Sequence, residues 1–128
     1  MTDPVVRVTN NASLPVCISH DPNWDDQVLF INDRRLKQTR CLSTGTRADV
    51  GMRLDGDTAP DENLMGVIFA DAKDVETGKA GFYQATIGHH RNTGLLSVTD
   101  ESSFGSPSLK YTVTGQTSSS LDLEFVDA

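Results

Sequence analysis

The densest chemistry in the chain is basic. Arg34-Arg35-Leu36-Lys37-Gln38-Thr39-Arg40 places four of the eleven Lys and Arg residues within seven positions of a chain whose formal charge is −7. Guanidinium groups offer planar pairs of donors that fit phosphate and carboxylate oxygens, so Arg34, Arg35, Lys37 and Arg40 form a candidate anion site. The plainer role of such a run is to balance nearby acids on a solvated strand.

A second constellation is Asp21-Pro22-Asn23-Trp24-Asp25-Asp26, which holds the one tryptophan. An indole face beside amide and carboxylate oxygens suits a sugar, with the ring under the pyranose and Asn23 and Asp25 on its hydroxyls. The competing role for Trp24 is to close one end of a core, since its ring buries a large apolar area. A third is His89-His90-Arg91-Asn92, expected in a loop between two strands. Adjacent side chains on an extended strand diverge, so the two imidazoles make a poor chelate, and their expected role is in a ligand-binding loop.

Asp55-Gly56-Asp57-Thr58-Ala59-Pro60-Asp61-Glu62-Asn63 gathers carboxylates at a density that could serve calcium, which takes six to eight oxygens. Asp55, Asp57, Asp61 and Glu62 are the candidate metal ligands, although the EF-hand spacing fails because Gly66 stands where its closing Glu belongs. Asp, Gly and Pro also build plain turns. The acids Asp71, Asp74 and Glu76 read as a second polar turn. Cys17 and His20 make a Cys-x-x-His pair with no second pair to complete a zinc site. Cys17 and Cys41 are the only cysteines. They are expected to be free thiols in a reducing cytoplasm, with a disulfide as the lesser alternative.

No catalytic nucleophile is evident. Gly-x-Ser-x-Gly is absent, Gly105-Ser106-Pro107 lacks the second glycine, and no glycine-rich phosphate loop occurs. The acidic balance, with a pI near 4.7, disfavours a nucleic-acid partner, which needs clustered cations over a broad surface. No apolar run approaches the length of a spanning helix, so membrane insertion is not expected. Met-Thr-Asp-Pro-Val-Val shows neither the basic nor the apolar region of a secretory leader, which points to the cytoplasm if Met1 is the native start.

The elements that must position these residues are strands. Leu109, Tyr111 and Val113 alternate with Lys110, Thr112 and Thr114, and Leu121, Leu123 and Phe125 alternate with Asp122 and Glu124, the period of a half-buried strand. A polar loop joins the two into a hairpin. Residues 64–70 (Leu-Met-Gly-Val-Ile-Phe-Ala) form an apolar run suited to a central strand. Residues 5–9, 16–19, 28–31, 48–54, 81–87 and 95–99 complete about eight or nine strands, a normal number for a sandwich. One helical turn is expected behind Asp21 and Pro22, and residues 32–47 fit neither period. Lys110-Tyr111-Thr112-Val113 followed by Leu121-Asp122 resembles the C-terminal hairpin of small bacterial cupredoxin-like and immunoglobulin-like sandwiches, over fewer than two strands.

The sequence therefore predicts one all-β domain over residues 1–128: an antiparallel β-sandwich of immunoglobulin-like, cupredoxin-like or jelly-roll topology with at most one short helix. Phe69, Val67, Tyr111, Val113, Leu123 and Phe125 should be buried. The functional expectation is a binding module rather than an enzyme, recognising carbohydrate in lectin-like fashion through loops at one end of the sandwich. Its alternatives are an interaction or assembly module working through a sheet face or edge, with a protein partner or a second copy of the chain, and a small hydrolase.

Overall fold

The computed structural model describes residues 4–20, 29–52, 65–71 and 81–128. They form eleven strands and no helix: β1 (Val5–Asn10), β2 (Val16–His20), β3 (Leu29–Ile31), β4 (Arg34–Arg35), β5 (Arg40–Leu42), β6 (Arg47–Met52), β7 (Met65–Asp71), β8 (Phe82–His89), β9 (Leu96–Phe104), β10 (Leu109–Gln116) and β11 (Ser120–Asp127). A six-stranded sheet runs β10-β11-β1-β6-β3-β4, and a five-stranded sheet runs β5-β2-β7-β8-β9. The expected β-sandwich is what the chain forms. The helical turn expected behind Asp21 and Pro22 lies outside the described residues.

Alternation decides which faces meet. Val6 and Val8 of β1, Ala48 and Val50 of β6, and Leu121, Leu123 and Phe125 of β11 project from one sheet. Val16 and Ile18 of β2, Met65, Val67 and Phe69 of β7, and Ala85 and Ile87 of β8 project from the other. The two sets share one apolar cluster, where Phe69 packs against Phe125 with ring centroids 5.1 Å apart. Such a layer of interdigitated side chains is the main source of stability in a sandwich.

One pairing departs from the antiparallel expectation. β1 and β11 run parallel, with Val6 beside Leu121 and Val8 beside Leu123. Their neighbours are antiparallel, β1 with β6 and β11 with β10. Placing the first and last strands side by side closes the middle of the six-stranded sheet with long-range contacts.

Three further expectations are corrected. Val113 is 46% exposed, and Tyr111 is only half-buried. β10 is an edge strand, and the buried face of its alternation ends by Val113, which still pairs in register with Leu123; a bulge breaks the register beyond it, between Val113 and Gly115. Asp71 is no turn residue but the fully buried end of β7. Within the stretch that fitted neither period lie two short edge strands, β4 and β5.

Candidate functional site

The site begins with a tight turn. Asn32 and Asp33 both have positive φ, 50° and 66°, the backbone of a two-residue hairpin turn that Asn and Asp tolerate better than most residues. The turn folds β4 back on β3, pairing Ile31 with Arg34 and Phe30 with Arg35. Asn32 holds it from outside, its Oδ1 accepting the Asp49 N–H at 2.9 Å. The chain then leaves the six-stranded sheet and crosses to the edge of the other through residues 36–39.

Four anchors fix this crossing. The Leu36 N–H donates to the Leu29 carbonyl at 2.8 Å, and its side chain packs against the core. Thr39 Oγ1 and Ser19 Oγ share a hydrogen bond of 2.8 Å. β5 pairs with β2, Ile18 opposite Arg40 and Val16 opposite Leu42. Between those pairs Cys17 and Cys41 stand directly opposite and are joined by a disulfide, with Cα atoms 3.9 Å apart. The expectation of two free thiols is thus corrected. The alternation of β2 explains the pairing: Val16 and Ile18 point into the core, so Cys17 lies on the outer face beside Cys41.

The crossing creates a depression of about 420 Å³ lined by Arg34, Arg35, Lys37 and Arg40, with Gln38 and Thr39 as neutral polar groups and Ile31 and Leu36 as apolar lining. Arg34, Arg35, Lys37 and Arg40 are all exposed, and no ion pair engages any of them among the described residues. The plainer expectation, cations balancing neighbouring acids, has no support among those residues. The structure brings all four predicted anion-site residues together.

The histidines are arranged differently. His89 is the last residue of β8 rather than a loop residue, and it turns inward, its Nε2–H donating to the Ser118 carbonyl at 2.7 Å. Its Nδ1 is buried with no hydrogen-bond partner among the described residues. His90 caps its own turn, its Nδ1 accepting the N–H groups of Asn92 at 3.2 Å and Thr93 at 3.4 Å. The two rings diverge as expected, and no group of three metal-ligating side chains occurs among the described residues. Arg91 and Asn92 are exposed on that turn.

Strand ends relate these places to one another. His20 pairs with Val67, Met65 with Ile87, and His89 with Leu96, so β2 and β8 finish, and β7 and β9 begin, at one end of the five-stranded sheet. The Leu96 N–H donates to the Thr117 carbonyl at 2.8 Å, tying that end to the β10–β11 turn. In the other sheet Ser120, Val5, Gly51, Phe30 and Arg35 follow one another across the same end. The basic depression and the His90 turn therefore share an end, with the whole width of β2 and β7 between them. Asn23, Trp24 and Asp25, and the acidic loop with Asp55, Asp57, Asp61 and Glu62, lie outside the described residues.

On the opposite side Tyr111 donates to Glu101 Oε2, clasping β10 to β9. Burial first, then the hydrogen bond and negative charge of Glu101, hold the Tyr111 phenol well above its ordinary pKa. Burial and the same carboxylate raise Tyr83. Phenols shifted this way stay protonated and serve as donors, not as nucleophiles or bases at neutral pH. Ser106 has a φ of 51° but sits in an exposed β9–β10 turn, with no helix behind it to form a nucleophile elbow.

Compared with protein-family models, curated proteins and solved structures, the chain matches none. Four lining residues, Ile31, Leu36, Gln38 and Thr39, were not singled out as ligand contacts by the sequence. Only their position inside the basic run could have marked Leu36, Gln38 and Thr39.

Proposed function

We propose that the protein is a non-enzymatic binding module whose ligand is a small phosphate-bearing anion held in the depression between β4 and β5. The observation that carries this reading is the convergence of Arg34, Arg35, Lys37 and Arg40 on one concavity, with no described carboxylate paired to them. Cations without an ion-pair partner among the described residues, in a chain of net charge −7, create a local field that draws and orients an anion. The volume, about 420 Å³, falls in the range of small-molecule sites. Three of the four cations are arginines, whose forked donors grip phosphate oxygens in pairs. The anchors at Leu36, Thr39 and Cys41 hold the segment before a ligand arrives, which reduces the entropic cost of binding.

The disulfide bears on location. Such bonds persist in oxidising compartments and are rare in a reducing cytosol. The Cys17–Cys41 bond therefore favours an oxidising environment over the cytoplasm expected from the opening residues.

Isothermal titration with inorganic tripolyphosphate tests the reading. Binding should weaken as salt rises, and Arg34→Ala with Arg40→Ala should lower affinity at least about tenfold, since hydrogen bonds to charged groups contribute roughly 1.5–3 kcal/mol each. Lys110→Ala, which removes a cation from the far edge strand β10, should leave affinity unchanged. Equal loss in both variants, or binding indifferent to the arginines, would refute the site.

A further inference from the structure

The disulfide is unevenly protected. Cys17 is 1% exposed, whereas Cys41 is exposed on a three-residue edge strand. Among the described residues β5 pairs only with β2, through Val16–Leu42, Cys17–Cys41 and Ile18–Arg40. Arg40 and Thr39, which line the basic depression, immediately precede Cys41. The bond thus fastens the downstream end of the anion-binding segment, while β4 and Leu36 fasten the upstream end independently.

We infer that the Cys17–Cys41 bond is a redox latch on the depression: its reduction by a dithiol releases the upstream end of β5 and the crossing segment and weakens anion binding. This rests on the reading of the depression as an anion site. A thiolate of the dithiol attacks Sγ of Cys41, the exposed residue of the pair, forming a mixed disulfide and expelling Cys17 as a thiolate that takes up a proton. The second thiolate of the reductant then attacks its own sulfur in the mixed disulfide and expels Cys41, which is protonated in turn. Two electrons and two protons pass from the dithiol to the protein, and the reductant leaves as its own disulfide. Accessible disulfides are the ones open to such exchange. Once the bond is cut, Leu42 stays anchored by its buried side chain and by Asn10 Nδ2, whereas the stretch upstream of it is held by ladder pairs at a sheet edge and by the Ser19–Thr39 hydrogen bond, and edge segments of that size open readily. The upstream anchors persist, so Arg34 and Arg35 keep their places while Lys37 and Arg40 lose theirs.

Dithiothreitol-treated and oxidised full-length protein should be compared by limited trypsin digestion, far-UV circular dichroism and titration with tripolyphosphate. Trypsin reads the segment directly, because its sites include Lys37 and Arg40. Reduction should raise cleavage after these residues about tenfold, in proportion to the open population, with the β spectrum retained. Tripolyphosphate affinity should fall about three- to tenfold, the cost of re-ordering one or two long side chains. The Cys17→Ala, Cys41→Ala double variant should behave like the reduced protein without any reagent. Cleavage at equal rates in both redox states would overturn the latch whatever the ligand does. Faster cleavage with unchanged affinity would overturn the control and leave the anion site standing. Faster cleavage with no tripolyphosphate binding in either state would remove the anion site, and with it the control of binding. Loss of the β spectrum on reduction would make the bond a staple for the whole fold and overturn the inference of local release.

Discussion

Asn10 is completely buried, yet each of its side-chain groups has work. Its Nδ2 donates to the carbonyls of Leu14 at 3.0 Å and Leu42 at 2.9 Å, and its Oδ1 accepts the Ala12 N–H at 2.9 Å. One amide thus fixes the β1–β2 turn and ties it to the end of β5. Asn10→Ala should cost about 2–4 kcal/mol, because it strands several buried backbone groups at roughly 1–3 kcal/mol each. Urea denaturation measures this, and a loss under about 1 kcal/mol would mean that water replaces the amide. Tyr111 gives a prediction in pH. Its folded-state pKa is raised above the ordinary 10.0, so the unfolded chain gives up this proton first. The stability it contributes is full below that ordinary value and is lost as pH rises toward the folded-state value. The urea midpoint should therefore fall between about pH 9 and about pH 11, and Tyr111→Phe should flatten that fall. An unchanged slope in the variant would assign the alkaline loss to other groups. None of this was legible beforehand: an Asn next to a turn and a Tyr on an alternating strand look alike whether their polar atoms meet protein or water.

Among the elements, strands with a covered face announced themselves and edge strands did not. β11 alternates cleanly because it sits between β10 and β1 with the other sheet across it, so Leu121, Leu123 and Phe125 are all buried. β10 carries the same pattern one position further out, and there it fails at Val113. Period two reports that a face can be buried; it carries no information about how far the facing sheet extends. Phe125→Ala should cost about 3–5 kcal/mol, whereas Val113→Ala should stay within about 1 kcal/mol despite the matching sequence signal. Comparable losses would show that the edge is covered in solution. β4 and β5 escaped for a different reason. Two or three residues cannot display a period, and Arg34-Arg35 has the composition of an edge guarded against further pairing. The anion site follows the same logic. Its basic character stood in the composition, but the concavity depends on a crossing from one sheet to the other, which pairing partners define and local pattern does not. The disulfide was hidden likewise, since it requires the register that sets Cys17 opposite Cys41.

At the scale of the whole molecule the decisive pairing is the most distant one. β1 lies between β11 and β6, and the Arg7 guanidinium meets the Asp122 carboxylate at 3.4 Å across a sequence separation of 115 residues. Both partners of that ion pair are more than a third exposed, so it marks the register and adds little stability. The stability comes from what the pairing encloses: Val6 and Val8 on one strand, Leu121, Leu123 and Phe125 on the other, all at 1% exposure or less. Two consequences follow from the topology. Closing contacts of such separation carries a large loop entropy before it gains any burial, so folding should be slow, in the millisecond-to-second range typical of sandwiches. Removal of residues 117–128 should abolish cooperative folding, because it uncovers one edge of β1, leaves β10 without a neighbour and takes three large side chains out of the shared core. A thermal melt of the shortened chain should show no cooperative transition, and adding the missing segment as a peptide should restore one, since every anchor for β11 on β1 and β10 would still be present. A sharp melt without the peptide would mean that the core closes around β6, β7 and β8 alone, and the parallel pair would then be an addition to the fold instead of its closing step.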